Sequence, residues 1–158
     1  MERRVSHSEE YEIWILLKQL TDAMFRARES ELMPHGLSAV QVGVMYVVRI
    51  LNKDGVAATP SEIARWVFRE PHTISGSLAR MEKQGLVTLT RSTEGRRRIY
   101  VQLTEKGEVA YRKQVRQRGV IPRILGVLSP EDRRQFRKYL ETLREKSLQE
   151  LATKFSLP

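Results

Sequence analysis

The chain has 158 residues, 41% of them hydrophobic and 30% charged, with a formal net charge of +9. That is enough for one domain with an oligomerisation element, and the charge points to a polyanion: DNA, RNA or an anionic surface. The absence of cysteine excludes disulfides, thiolate zinc sites and thiol redox sensing. No apolar run reaches the roughly 18 to 20 residues of a membrane span, and the polar N-terminus lacks a signal-peptide pattern, so a cytoplasmic protein is expected.

Residues 8–30 read as a helix whose apolar positions, including Tyr11, Ile13, Trp14, Leu16, Leu17, Leu20 and Phe25, span more than one helical neighbour needs. "MPHG" (33–36) breaks it. Ser38 and Gln41 have capping-box spacing at the head of a helix over 38–51. "TPSE" (59–62) repeats the signature, with Thr59 as N-cap, Pro60 as first helical residue and Glu62 as reciprocal partner of a short helix over 60–68. "EPHT" starts the next helix, with Pro71 in its first turn and Glu70 at the positive end of the dipole. There Ile74, Leu78 and Met81 form an inward stripe, and Gly85 ends the helix.

Two strands follow, 86–91 and 98–103, with "STEG" turning between them and a hairpin tip over 92–98. Thr104 caps a helix carrying Val109, Ala110, Tyr111 and Val115, which Gly119 and Pro122 should bend or interrupt. "SPED" (129–132) opens the last helix, with Ser129 as N-cap, Pro130 next, and an apolar stripe from Phe136, Leu140 and Leu143, widened by Tyr139 and extended by Leu148 and Leu151. Net charge rises along the chain: −1 over 1–60, +4 over 61–104 and +6 over 105–158.

This order of elements is a winged helix-turn-helix: mostly α with a small β-wing. A short helix braces a second one that can enter a major groove, beside a hairpin that reaches along the duplex. With Ile74, Leu78 and Met81 inward, a 100° step per residue turns His72, Thr73, Gly76 and Arg80 outward and puts Ser75 and Ser77 on the flanks. Small residues permit close approach, and hydroxyls, imidazole and guanidinium can reach base edges or phosphates. Ser61, at the start of the bracing helix, joins the DNA-binding candidates. Arg96, Arg97 and Arg98 sit side by side on the hairpin, where they repel one another until a polyanion neutralises them; arginine suits the negative potential of a narrow minor groove. A solvated helix face and a self-paired hairpin are the plainer alternatives.

The stretch "TPSEIARWV…EPHTISGSLARMEKQGLVTLTRSTEGRRRIYVQLTEKGE…LSPEDRRQF" resembles the MarR family of transcription regulators, over residues 37–136. "RMEKQGLV", the arginine-rich tip, "LTEKG" and "LSPEDRRQF" are its most specific parts. The resemblance implies a homodimer whose N- and C-terminal helices interlock and whose two winged lobes grip a palindrome. The domain boundaries would be 1–34 for the N-terminal dimerisation helix, 35–104 for the DNA-binding domain and 105–158 for the C-terminal dimerisation helices. It places the recognition helix at 71–84, base-reading positions at His72, Thr73, Ser75 and Gly76, and the wing arginine at Arg97 with Arg96 beside it. The family often has Asp before the wing arginines; here Gly95 stands there, with Glu94 one residue earlier. A longer residue is common in the family at Gly76, so readout here leans on backbone approach and DNA shape. Many relatives release DNA when a small aromatic or phenolic molecule binds, and Tyr11, Trp14, Trp66 and Phe68 are the candidate lining, with core packing as their alternative role.

The expected function is thus sequence-specific binding of double-stranded DNA, most simply by a ligand-relieved repressor. The rivals are a non-specific architectural DNA-binding protein and a protein-interaction module. His7, His35 and His72 are scattered, and no nucleophile–base arrangement or phosphate loop stands out, so no enzyme, metal site or cofactor is expected.

Overall fold

The computed structural model describes residues 8–92, 98–116 and 119–155. Contacts divide the chain into two compact units, Met1–Val120 and Ile121–Pro158. The first begins with α1 (Glu9–Leu32), N-capped by the Ser8 hydroxyl and acidic in its first turn. A 3-10 turn (Met33–His35) closes on Gly36, whose φ of 68° suits glycine. Along α1 only Leu32 is buried; Tyr11, Trp14, Leu16, Leu20 and Phe25 are exposed.

α2 (Ala39–Lys53) starts with the complete capping box anticipated from Ser38 and Gln41. Its first-turn N–H at Ala39 also donates to the Glu29 carboxylate of α1, at 2.6 Å. α3 (Pro60–Trp66) is capped by Thr59, but the reciprocal bond from Glu62 is not made: that carboxylate takes the Arg65 guanidinium at 2.7 Å instead. A charge-assisted contact one turn along outcompetes a neutral backbone N–H.

Between α3 and α4 (Pro71–Lys83) the chain turns through a Schellman motif. Arg69 N–H reaches Ala64 O at 3.0 Å, and Phe68 takes the left-handed position with φ 51°. Glycine is usual there; a non-glycine residue costs about 1–2 kcal/mol. α4 exits through a second such motif at Gly85, φ 72°, with Leu86 N–H on Met81 O at 2.9 Å.

β1 (Val87–Arg91) and β2 (Ile99–Leu103) pair antiparallel, Leu89 opposite Val101. On its other edge β2 gains a bond from Val101 N–H to Ala58 O at 2.8 Å. The expected tip residues 93–97 lie outside the described residues, but Ser92 N–H donates to Arg98 O at 2.9 Å and closes the hairpin's base. Thr104 caps α5 (Glu105–Arg116) and ties it to α4's exit, its hydroxyl accepting from Gly107 N–H and donating to Gly85 O.

Val44, Met45 and Val48 of α2, Ile63 of α3, Ile74, Leu78 and Met81 of α4, and Val87 and Val101 of the sheet form the buried core. Each large member adds about 1.5–3 kcal/mol of burial, so α4 is fastened along one side and its other side stays open.

α6 (Val120–Leu125) begins with the Val120 N–H on the Glu31 carboxylate of α1, at 2.8 Å. The expected interruption is present: α5 ends at Arg116 and α6 starts at Val120, and Pro122 lies in the first turn of α6, where a missing N–H is harmless. α7 (Pro130–Phe155) starts as anticipated, with Asp132 N–H on the Ser129 hydroxyl at 3.1 Å. Its Tyr139, Leu140, Leu143, Leu148 and Leu151 are exposed. Among the described residues no helix is long and apolar enough to cross a membrane.

Candidate nucleic-acid interface

Three residues expected to bind DNA meet in one place. Ser61 at the start of α3, Ser75 on α4 and Arg98 at the foot of the wing line a groove of about 590 Å³, together with Glu62 and Tyr100. Ser75 donates its hydroxyl proton to Pro71 O at 3.0 Å and is exposed. Glu62 is engaged with Arg65, so its charge is partly cancelled at the groove's edge.

Pro71, His72, Thr73, Gly76 and Arg80 are exposed on α4, as the helical phase requires. A β-carbon built at Gly76 has one neighbour within 4 Å, the Arg80 Nη1 at 3.9 Å. The Arg80 guanidinium therefore lies back along the helix over the gap that Gly76 leaves. Ser77 corrects the flank assignment: at 3% exposure it packs inside the lobe with Ile74 and Leu78. It follows Ile74 by three positions, which carries it to the inward side. Arg96 and Arg97 lie outside the described residues.

Among the described residues the basic groups around this face make no ion pair. Arg69, Arg80, Lys83, Arg91 and Arg98 are exposed, and among the described residues the ion pairs involve other cations. Sequence reasoning passed over Arg69 and Arg91; their signal was a basic residue beside α4 and at the end of β1. Unpaired cations beside hydroxyls form a surface suited to phosphate and sugar contacts.

The four aromatic residues expected to hold a ligand are placed differently. Tyr11, Trp14, Trp66 and Phe68 are all exposed, Phe68 at 65%, so they neither fill the core nor line the groove at Ser61. Nor do they line a separate cavity of about 560 Å³ between α2, β2 and α5. There Arg49 pairs with Glu108 and lies 4.9 Å from the Tyr111 ring centroid. Burial raises the Tyr111 phenol above its ordinary value, and the Arg49 charge opposes that rise.

The family model for a winged helix DNA-binding domain matches residues 37–107. The HTH-type transcriptional regulator YfiV of Bacillus subtilis is 32% identical over 134 residues, covering 84% of this chain and 81% of that protein. Among solved structures, the organohalide-sensing transcriptional regulator RdhR-CbdbA1625 in its 2,4-dichlorophenol-bound form superposes with a TM-score of 0.79. It is 24% identical, over 100% of this chain and 92% of that one. This chain belongs to the MarR family of winged helix transcriptional regulators. A mutant MarR of E. coli complexed with operator DNA shares the fold at a TM-score of 0.71 and 18% identity, over 87% of this chain and 99% of that one. As a MarR-type regulator the protein binds DNA.

Proposed function

We propose that this protein is a homodimeric, sequence-specific repressor that binds a palindromic operator and is displaced by a small ligand. The observation that carries the reading is the groove where Ser61, Ser75 and Arg98 converge beside unpaired cations. In this reading α4 enters the major groove with His72, Thr73, Ser75 and Gly76 foremost, Arg80 and Arg98 meet phosphates, and Arg96 and Arg97 continue into the minor groove. Ser77 is left out, since it is buried.

Dimerisation is supported by the exposed apolar residues of α1 and, separately, of α7. Exposed runs of large apolar side chains on two long helices mark an interaction surface, and a second copy covers both kinds at once. Residues 1–34 and 105–158 then serve dimerisation and 35–104 serves DNA. Ligand relief is supported by the 2,4-dichlorophenol-bound relative.

Duplexes selected from a random library test the proposal. A specific regulator prefers its selected site over random duplex by at least about a thousandfold; equal binding would leave an architectural protein. Arg97→Ala is expected to weaken operator binding without unfolding the chain and to reduce the salt slope by about one. An unchanged titration at two salt concentrations would remove the wing from the interface.

A further inference from the structure

Val44, Met45 and Val48 of α2 share the buried core with Ile74, Leu78 and Met81 of α4. Apolar packing is non-directional. It holds two helices together more firmly than it fixes the angle of one against the other. A hydrogen bond weakens steeply when bent, so a polar contact at the edge of such a core sets orientation.

Gln41 makes that contact. It lies in the first turn of α2 and is 7% exposed. Its Oε1 accepts from Ser38 N–H at 2.9 Å, which completes the capping box. A backbone N–H can only donate, so this bond decides which end of the amide is left for another partner. That end, Nε2, donates to Gln84 Oε1 at 2.7 Å. Gln84 is the C-cap of α4, and its main-chain carbonyl accepts Lys106 Nζ of α5 at 2.6 Å. The same turn of α2 is also tied to α1, where the Glu29 carboxylate accepts Ala39 N–H at 2.6 Å. Polar contacts thus lead from α1, through the head of α2, to the exit of α4.

We propose that Gln41 is a positioning residue for DNA recognition: its bond to Gln84 fixes the angle of α4 against α1, and so sets the spacing of the two half-sites that a dimer reads. α4 has 13 residues, about 20 Å at 1.5 Å per residue, so His72 and Thr73 at its entry magnify any tilt permitted at its exit. α1 carries exposed apolar residues assigned above to the dimer. In two copies, the setting of α4 against α1 becomes the separation of two recognition helices. One base pair inserted between half-sites moves them apart by about 3.4 Å. The spacing role rests on the palindrome-binding dimer proposed above; the bond between Gln41 and Gln84 does not.

Two variants separate the possibilities. Gln84→Met removes the acceptor but leaves the capping box and the main-chain bond to Lys106, and position 84 is exposed, so the chain still folds. Gln41→Glu keeps the cap and lets Gln84 turn its amide to donate. The first measurement needs no DNA. The chain has no cysteine, so nitroxides attach only at introduced Ser30→Cys and Thr73→Cys, both at exposed positions. Pulsed dipolar spectroscopy on labelled chain diluted into unlabelled chain reads the distance from α1 to α4 within one molecule. Gln84→Met should broaden or shift that distribution, and Gln41→Glu should match the wild type; an unchanged Gln84→Met, or a broadened Gln41→Glu, would overturn the positioning role.

The second measurement compares, on unlabelled chains, affinity for a library-selected operator and for the same duplex with one central base pair inserted. The wild type should prefer the selected spacing by at least about a hundredfold, because a wrong spacing forfeits the contacts of one half-site. In Gln84→Met that ratio should fall about tenfold, since a dimer loses the bond twice, and Gln41→Glu should retain it. A merely destabilised protein would weaken on both duplexes alike and keep the ratio. A Gln84→Met chain with altered distances but the wild-type ratio would overturn the role in spacing. A wild type indifferent to spacing would sink the palindrome reading and the spacing role together, while the distances still judge the bond from Gln41 to Gln84.

Discussion

Replacing Gly76 with alanine sets the stability of α4 against its proposed contact with DNA. Gly76 is an exposed residue inside a 13-residue helix. An added β-carbon meets Arg80 Nη1 at 3.9 Å and nothing else within 4 Å, an ordinary contact with the mobile end of a side chain. The substitution should therefore deliver the full helix-propensity gain of about 0.8–1 kcal/mol, which raises the melting temperature by about 2–4 °C for a chain of this size. On the duplex the sign reverses. If α4 approaches the bases at Gly76, the methyl group occupies the space that approach needs. A tenfold loss of operator affinity corresponds to about 1.4 kcal/mol and is the minimum expected. Calorimetric melting and fluorescence anisotropy with a selected duplex at fixed salt measure the two effects on one sample. A variant that is more stable and binds as wild type would refute close approach at Gly76. A variant that is less stable would refute the placement of Gly76 on the open side of α4.

Gly107→Ala should act oppositely on the fold: its β-carbon would lie 2.0 Å from Leu86 O, so α5 and β1 must part, at a cost of at least about 2 kcal/mol seen in urea unfolding; an unchanged midpoint would contradict the packing at Thr104. Arg49→Leu removes the positive charge that opposes the rise of the Tyr111 phenol, so an ultraviolet titration should show that tyrosine ionising at still higher pH; a downward move would reject the Arg49–Tyr111 stacking. Because burial raises the pKa of this acid, the folded state favours the neutral phenol, and its stability contribution falls as pH climbs past tyrosine's ordinary range. Leu143→Asp in α7 should lower the mass measured by light scattering towards a single chain if that face joins two copies; a wild type that already runs as one chain would dismiss the dimer.

The element order could be read from the sequence because its boundaries are chemical. Ser38, Thr59, Thr104 and Ser129 each cap a helix where the sequence placed one, and Gly85 ends α4. Ile74, Leu78 and Met81 fixed the helix phase, which put His72, Thr73 and Gly76 on the open side. Misassignments came where side chains choose between partners or where packing overrides type. Glu62 prefers Arg65 to its own N-cap. Ser77 is buried although polar, because its position relative to Ile74 outweighs its hydroxyl. Phe68 occupies a left-handed position that sequence rules reserve for glycine, so its outward placement had no signal. A cavity of about 310 Å³ is lined by both Leu37 and Gln114, a juxtaposition that local periodicity does not encode.

One consequence concerns where this protein can be cut. Glu29 caps α2 through the Ala39 N–H, Glu31 caps α6 through the Val120 N–H, and Leu32 is fully enclosed. Two carboxylates within one turn of α1 thus hold the backbone N–H groups of Ala39 and Val120. A fragment starting at residue 35 would forfeit both anchors, so the DNA-reading portion is not a detachable module: trimming should stop before Arg28, or the excised lobe will be softer than its tidy core suggests.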